Sequence, residues 1–302
     1  MISVVVPLYN EECVIEECTK RLSSVLEGMG EEWEIVLVND GSRDKTEFLM
    51  RAIAEKESRI KLINFSRNFG HQTAITAGMD YSSGDAVVVI DADLQDPPEI
   101  IPKMVEKWKE GYMVVYGKRL KREKETFFKK FTAKAYYRIL KSITNVDIPV
   151  DTGDFRLIDK KVCDVLRSMK ESNRYVRGLV SFIGFPQCSV EYERRGRLAG
   201  ETKYSLKKMI RLATDGITSF SYTPLKMPFY IGTVLLFADV IYLIAKIFTG
   251  QFLSSLEFFM EFGADSLILI FMGIFGEYIG RIYEESKERP LYIVKDEIGF
   301  EK

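Results

Sequence analysis

Val87-Val88-Val89-Ile90-Asp91-Ala92-Asp93-Leu94-Gln95-Asp96-Pro97-Pro98-Glu99 is the stretch on which the reading of this chain turns. Four apolar residues run into two carboxylates spaced i, i+2. The apolar run reads as a buried strand, and the proline pair stops it. On a strand, residues i and i+2 point to the same face. Asp91 and Asp93 can then converge on one cation at the strand end. Hard ions such as Mg²⁺ or Mn²⁺ take oxygen ligands and are commonly shared with substrate phosphates. Two aspartates in a loop are more often a solvated acidic turn, so the surrounding sequence has to decide.

Upstream, strand and helix patterns alternate. Strands are expected at 2–6, 34–38, 60–64, 86–90 and 112–116, with helical stretches near 11–28, 44–57 and 71–82. Strands joined by helical crossovers imply an α/β fold, a mostly parallel sheet with helices on both faces. Ligands in such sheets sit beyond the carboxyl ends of the strands. The polar clusters fall there: Tyr9-Asn10-Glu11 after the first strand, Asn39-Asp40-Gly41-Ser42 after the second, Asp91 and Asp93 after the fourth.

Of 302 residues, 46% are hydrophobic and 29% charged, with a net charge of −1, so the composition is globular and long enough for one large domain or two smaller ones. Cys13, Cys18, Cys163 and Cys188 lack paired spacing, which speaks against a disulfide framework or zinc site. The N-terminus reads as a strand rather than a signal peptide. No GxGxxG follows the first strand, Gly111 to Lys118 fits a P-loop poorly, and HExxH and GxSxG are missing. The single histidine, His71, could touch a ligand phosphate or serve structurally at a helix N-terminus.

Four motifs carry a resemblance: Val6-Pro7-Leu8-Tyr9-Asn10-Glu11-Glu12, Val38-Asn39-Asp40-Gly41-Ser42, Ser66-Arg67-Asn68-Phe69-Gly70 and Asp91 to Glu99. In this order they resemble the family 2 glycosyltransferases, of GT-A fold, and within them the dolichyl-phosphate mannose synthase branch. The chain is most similar to bacterial bactoprenol (undecaprenyl-phosphate) glucosyltransferases. The resemblance continues through Asp151 to Leu157, Arg174 to Val180, Gly200 to Tyr204 and Gly276 to Glu285.

The resemblance implies an inverting transfer of one sugar, glucose from UDP-glucose first among the donors, to a polyprenyl phosphate. GDP-mannose and UDP-N-acetylhexosamines stay open as donors. A processive polysaccharide synthase is a further alternative, but its Gln-x-x-Arg-Trp motif is missing: neither Trp33 nor Trp108 follows an Arg. A non-catalytic membrane scaffold is the third. The resemblance further implies that Pro7, Tyr9 and Glu11 border the base and ribose and that Asp40 contacts the base. Asp91 and Asp93, with Gln95 nearby, would hold Mg²⁺ or Mn²⁺. Asp154 would be a positioning carboxylate on the acceptor side, with Asp151 a weaker candidate. A phosphate monoester, whose second pKa is about 6, is largely dianionic at neutral pH and barely needs a general base.

Two dianions must meet, so cations are required. Ten Lys and Arg lie between Lys118 and Lys141, against Glu123 and Glu125, and a second cluster holds Arg194, Arg195, Arg197 and Lys203. Interleaved aromatics and the apolar segments downstream favour anionic lipid over nucleic acid as partner. Arg119, Arg156, Arg197 and Lys203 are the expected phosphate contacts: Arg119 at the donor, Arg156 with Asp154 and Asp93 among the catalytic residues, Arg197 and Lys203 at the acceptor phosphate.

The expected organisation is a transferase domain over 1–202, an interfacial amphipathic helix over 203–223, a two-span transmembrane hairpin over 224–283 and a cytoplasmic tail over 284–302. Phe229 to Phe248 meets the ~20 residues that a span needs, and a second segment runs from Ala264 to Ile282. The loop from Thr249 to Glu257 has no Lys or Arg while the outer flanks do. That places both termini and the catalytic domain on the cytoplasmic side of the plasma (inner) membrane. Gly276 and Gly280 would permit close helix packing, Glu277 and Arg281 can pair on one face, and paired hairpins could assemble a homo-oligomer.

Overall fold

The computed structural model describes residues 1–120, 152–171, 174–193, 230–231, 234 and 254–300; of 152, 254–267 and 269 it describes the backbone alone. Eight strands form one sheet: β1 (Ile2–Leu8), β2 (Trp33–Asn39), β3 (Ile60–Phe65), β4 (Ala86–Val89), β5 (Val114–Arg119), β6 (Thr152–Asp159), β7 (Gln187–Tyr192) and β8 (Val294–Ile298). Their order across the sheet is β7-β5-β6-β4-β1-β2-β3-β8. The expected strands and helices of the N-terminal half all form, with ends displaced by a few residues.

The centre is parallel: β1 pairs with β2 and with β4, and β2 with β3. The crossovers are α1 (Ile15–Gly28), α2 (Thr46–Lys56) and α3 (His71–Tyr81). Valine-rich strands buried on both faces need helices on both faces. One face is covered by α1, α2 and α4 (Ile101–Lys109), through residues such as Leu22, Met50 and Met104. The other is covered by α3, α5 (Lys160–Ser168) and α6 (Val176–Ile183), through Ile75, Val162 and Leu179. A Cβ on Gly78 would fall 2.1 Å from Val5 Cγ1, so glycine lets α3 lie directly on β1.

The chain winds from β1 outward to β3, then crosses back to β4 on the other side of β1. That reversal opens a crevice at the carboxyl ends of β1 and β4. Pro7 widens it. The ladder between β1 and β4 ends at Val5 opposite Val89, just short of the proline with its missing N–H.

Three features differ from the sequence expectation. β4 stops at Val89, and Asp91 to Asp96 form a turn with Leu94 at φ +54°. The two carboxylates therefore do not share a strand face by pleat; the turn places them. Next, β6 enters antiparallel between β4 and β5, so its beginning lies at the crevice. Finally, the expected tail 284–302 contributes β8, antiparallel to β3 at the sheet edge. Its alternation of Val294, Asp296 and Ile298 with Lys295 and Glu297 suits a half-covered edge strand: Lys295 and Glu297 are exposed, while Asp296 shares the covered side with Val294 and Ile298.

α7 (Ser254–Ser286) precedes β8. Its exposed residues include Ile268, Ile270, Met272, Phe275, Ile279 and Ile282. Arg281 donates to Glu277 at 3.0 Å, the i, i+4 pair expected from the sequence. Among the described residues no helix is long and apolar enough to cross a membrane. The expected first span and the interfacial helix over 203–223 lie outside the described residues, apart from residues 230–231 and 234.

Candidate active site

The loops after β1 and β2 are sewn together. Asn10, at φ +54°, donates its N–H to Ser42 Oγ (3.0 Å) and accepts from Arg43 N through Oδ1 (2.8 Å). Glu11 N donates to Thr46 Oγ1 (2.8 Å), and Glu12 Oε2 accepts from Lys45 N (2.9 Å). Asn10 and its neighbours Tyr9 and Glu11 are thus held at the crevice rim before any ligand arrives.

Asp40 is buried beneath that rim. It accepts from Asn68 Nδ2 (2.8 Å), Phe69 N (2.6 Å) and Gly70 N (3.0 Å). Burial pushes its carboxyl up, and the Phe69 and Gly70 N–H groups oppose that. Gly41, at φ +66°, is required: a Cβ there would meet the Arg67 carbonyl carbon at 2.4 Å and Asn68 N at 2.6 Å. Asp40 thereby anchors the loop 67–70 against its own, and its carboxylate is engaged by protein donors.

At the end of β4, Asp93 Oδ1 accepts from Gln95 N at 3.1 Å. Asp91 Oδ1 is enclosed and accepts no hydrogen bond, with His71 Nε2 3.4 Å away. Burial pushes the Asp91 carboxyl up to about 6; His71 opposes this, while Asp154, Asp93 and Asp96 add to it. An orphaned, buried carboxylate oxygen next to a second carboxylate is an oxygen donor set that suits a hard cation. Among the described residues, no group of three or more His, Cys, Asp or Glu is arranged to hold a metal ion. Two carboxylates leave the other coordination positions to substrate oxygens and water.

β6 brings Asp154 to the same place. Val89 is opposite Arg156, and continuing that register sets Asp154 across from Asp91. Asp154 Oδ2 lies 3.4 Å from His71 Nε2 and accepts from Gln72 Nε2 at 3.3 Å; its Oδ1 accepts from Arg177 Nε at 3.1 Å. Gln72 Oε1 in turn accepts from Val176 N at 3.0 Å, clipping the start of α6 to the start of α3. Burial disfavours the Asp154 anion, but Arg177 and His71 outweigh that and hold its carboxyl well below the usual range. His71 is likewise disfavoured as a cation by burial, yet Asp91 and Asp154 keep it protonated up to about 9. The sequence leaves His71 either a ligand-phosphate or a structural role; the fold puts it between the two carboxylates.

Arg156 turns inward from the same face of β6. Its Nη2 donates to Gly153 O (2.9 Å), its Nε finds no partner, and burial lowers its pKa to about 10. Arg119, at the end of β5, has Nη2 3.4 Å from Asp96 Oδ2 and donates Nε to Tyr192 OH at 3.2 Å. Tyr192 OH also donates to Asp96 Oδ1, so the buried Asp96 orients both. Gly153 leaves the room for Arg119, whose Nη2 would lie 2.4 Å from a Cβ there.

The structure therefore gathers Pro7, Tyr9, Glu11, Asp40, Asp91, Asp93, Gln95, Asp154, Arg156 and Arg119 at one end of the sheet. Arg197, Lys203 and Asp151 lie outside the described residues. His71, Gln72, Arg177, Asp96 and Tyr192 join the site, which no local sequence pattern predicts. Arg177 sat in a motif quoted above, but only strand pairing reveals what it faces.

Comparison with known proteins gives the family and the fold. The family described as Glycosyl transferase family 2 matches residues 3–167. The chain is 54% identical over 305 residues to the glycosyltransferase YkcC of Bacillus subtilis (strain 168), covering 99% of this chain and 94% of that one. It is 40% identical over 304 residues to bactoprenol glucosyl transferase of Shigella phage SfV, covering 98% of each. Among solved structures, glucosyl-3-phosphoglycerate synthase from Mycobacterium tuberculosis, in complex with Mn²⁺, uridine diphosphate and phosphoglyceric acid, matches with a TM-score of 0.50 at 21% identity, over 72% of this chain and 76% of that chain. At that identity the likeness speaks for the fold alone, which is GT-A-like. With the matched region spanning more than half of its length, this chain belongs to glycosyl transferase family 2.

Proposed function

We propose that the protein transfers glucose from UDP-glucose to a polyprenyl phosphate with inversion, at the cytoplasmic face of the membrane. The observation that carries this reading is the meeting of Asp91, Asp93 and Asp154 at one crevice, in a chain 40% identical along its length to a bactoprenol glucosyl transferase.

Pro7, Tyr9 and Glu11 border the base and ribose, and Asp40 supports the base pocket by fixing the loop 67–70. Asp91 and Asp93, with Gln95 beside them, are the residues that would hold Mg²⁺ or Mn²⁺. That ion would neutralise charge developing on the departing nucleoside diphosphate. Arg119, steered by Asp96 and Tyr192, reaches toward the donor phosphates. Asp154, fixed by Arg177, Gln72 and His71, positions the acceptor and has no need to act as a strong base, because the phosphate dianion is itself the nucleophile. Arg156 lies beneath Asp154 and adds positive potential there; its inward bond to Gly153 makes this support rather than contact. Arg197 and Lys203 clamp the acceptor phosphate. Residues 203–223 lie in the interface, and two spans over 224–283 hold the crevice at the depth of the lipid phosphate. The exposed apolar residues of α7 support that anchoring, and paired hairpins would allow a homo-oligomer.

Incubation of the full-length protein in nanodiscs with labelled UDP-glucose, GDP-mannose or UDP-N-acetylglucosamine and a short polyprenyl phosphate tests the reading. One glucosylated lipid is expected. Transfer from another donor alone corrects the sugar, a polymer points to a processive synthase, and efficient transfer to the free polyprenol overturns the acceptor assignment.

A further inference from the structure

A line of polar side chains runs through the sheet from its C-terminal edge to the crevice. Asn39 of β2 is opposite Asn64 of β3, and Asn64 is opposite Asp296 of β8. Both asparagines are buried. Asn64 Nδ2 donates to Asp296 Oδ1 (2.8 Å), and Asn39 Nδ2 donates to Asn64 Oδ1 (3.0 Å). Asn39 Oδ1 then accepts from Ser42 N (3.0 Å), and Ser42 Oγ accepts from Asn10 N (3.0 Å). Arg51 of α2 donates to the same Asp296 oxygen at 2.6 Å and to Glu47 at 2.9 Å, which ties α2 to the end of the line.

The line has a direction. An amide side chain can present either its oxygen or its nitrogen, and only its partners decide which. A carboxylate only accepts. Asp296 therefore compels Asn64 to offer its nitrogen outward and its oxygen toward Asn39. That in turn leaves the Asn39 oxygen for Ser42 N. Each bond polarises the next, so the end of the line sets the start. We propose that Asp296, on the edge strand β8, is a positioning residue for the donor pocket, orienting the Ser42 and Asn10 loops through Asn64 and Asn39. This rests on the reading of those loops as the nucleotide site. It also gives the return of the chain to the sheet after α7 a purpose: the pocket is completed only when the last strand is in place.

The test uses the full-length protein in nanodiscs, with calorimetric titration of UDP in the presence of Mn²⁺. Asp296→Ala should weaken UDP binding about tenfold while the polyprenyl-phosphate KM stays within twofold. Asp296→Asn keeps an acceptor oxygen and should restore binding to within about threefold of wild type. Asn39→Ala should weaken binding similarly, and the double variant Asn39→Ala/Asp296→Ala should be no weaker than Asn39→Ala alone, because one line is broken twice. Hydrogen exchange at residues 40–46 should quicken in Asp296→Ala and not in Asp296→Asn. Wild-type affinity in Asp296→Ala, losses that multiply in the double variant, or unchanged exchange at 40–46 would each overturn the proposal. If the wild type binds neither UDP nor GDP, the donor reading itself fails, while the exchange measurement still decides whether the line exists.

Discussion

The two halves of the crevice are built in opposite ways. On the side of β1 and β2, hydrogen bonds are closed among protein groups: Asn10 with Ser42 and Arg43, Glu11 with Thr46, Asp40 with the loop 68–70. On the side of β4 and β6, charges are gathered without full closure. Asp91 Oδ1 and Arg156 Nε are buried without hydrogen-bond partners, and His71 stands 3.4 Å from two carboxylates. A closed network keeps its shape alone and suits recognition of a base and ribose. An unclosed cluster of charges in a crevice is costly to the free protein and is completed by ligand. On the proposed reading, the first half is a template for the donor and the second half is where charge moves.

The sharpest way to break this contrast is at Asp93. Asp93→Ala should cut kcat by about 10²–10³-fold or more, the scale on which removal of a group stabilising developing charge is felt, with an unchanged melting temperature. Chelation by excess EDTA should abolish turnover reversibly. Near-wild-type turnover in either experiment would take the metal away from the second half.

Arg177 comes next, because it is the closest cation to the buried Asp154. Removing one partner of a buried ion pair costs about 3 kcal/mol or more, so Arg177→Ala should lower Tm by several degrees at neutral pH. The sign with pH follows from the depressed Asp154 carboxyl. Its contribution is fully present above the ordinary carboxylate pKa and is lost as pH falls. The Tm gap between wild type and Arg177→Ala should therefore narrow on acidification. A gap independent of pH would mean that Arg177 acts by packing.

On the template side, Gly41→Ala puts a Cβ into the Arg67–Asn68 backbone at positive φ. A loss of roughly 2 kcal/mol of stability, with weaker nucleotide binding and little change in the acceptor KM, is expected in thermal melts and steady-state kinetics. A change in acceptor KM instead would mean that the two halves are not separable.

The smallest effect belongs to the outside of the turn. Arg21 holds Glu99 through two 2.7 Å bonds on a half-exposed surface. Glu99→Gln should cost about 1 kcal/mol or less and leave kcat within twofold. A large fall in kcat would show that the Asp91–Asp96 turn depends on that surface tie.

The template half was the more legible from sequence. Its strands are adjacent in order, its loops begin where apolar runs stop, and glycine and asparagine mark the tight turns. Asp91, Asp93 and Asp154 are legible too, but it is the turn with Leu94 at positive φ, not the pleat of a strand, that places the first two. His71, Gln72 and Arg177 could not be grouped with Asp154 from periodicity, because their distance along the chain says nothing about a strand that enters the sheet antiparallel.

The parallel β1–β4 core, the end of the sheet where polar residues collect, and the family motifs can be read from local patterns alone, because buried strands and amphipathic crossovers write their period locally. That β6 sets Asp154 against Asp91 with His71 between them, and that β8 closes an amide line into the loops after β1 and β2, comes from the assembled fold. Both depend on pairing between strands separated by tens to hundreds of residues, whose register is fixed by the assembled sheet rather than by any local pattern.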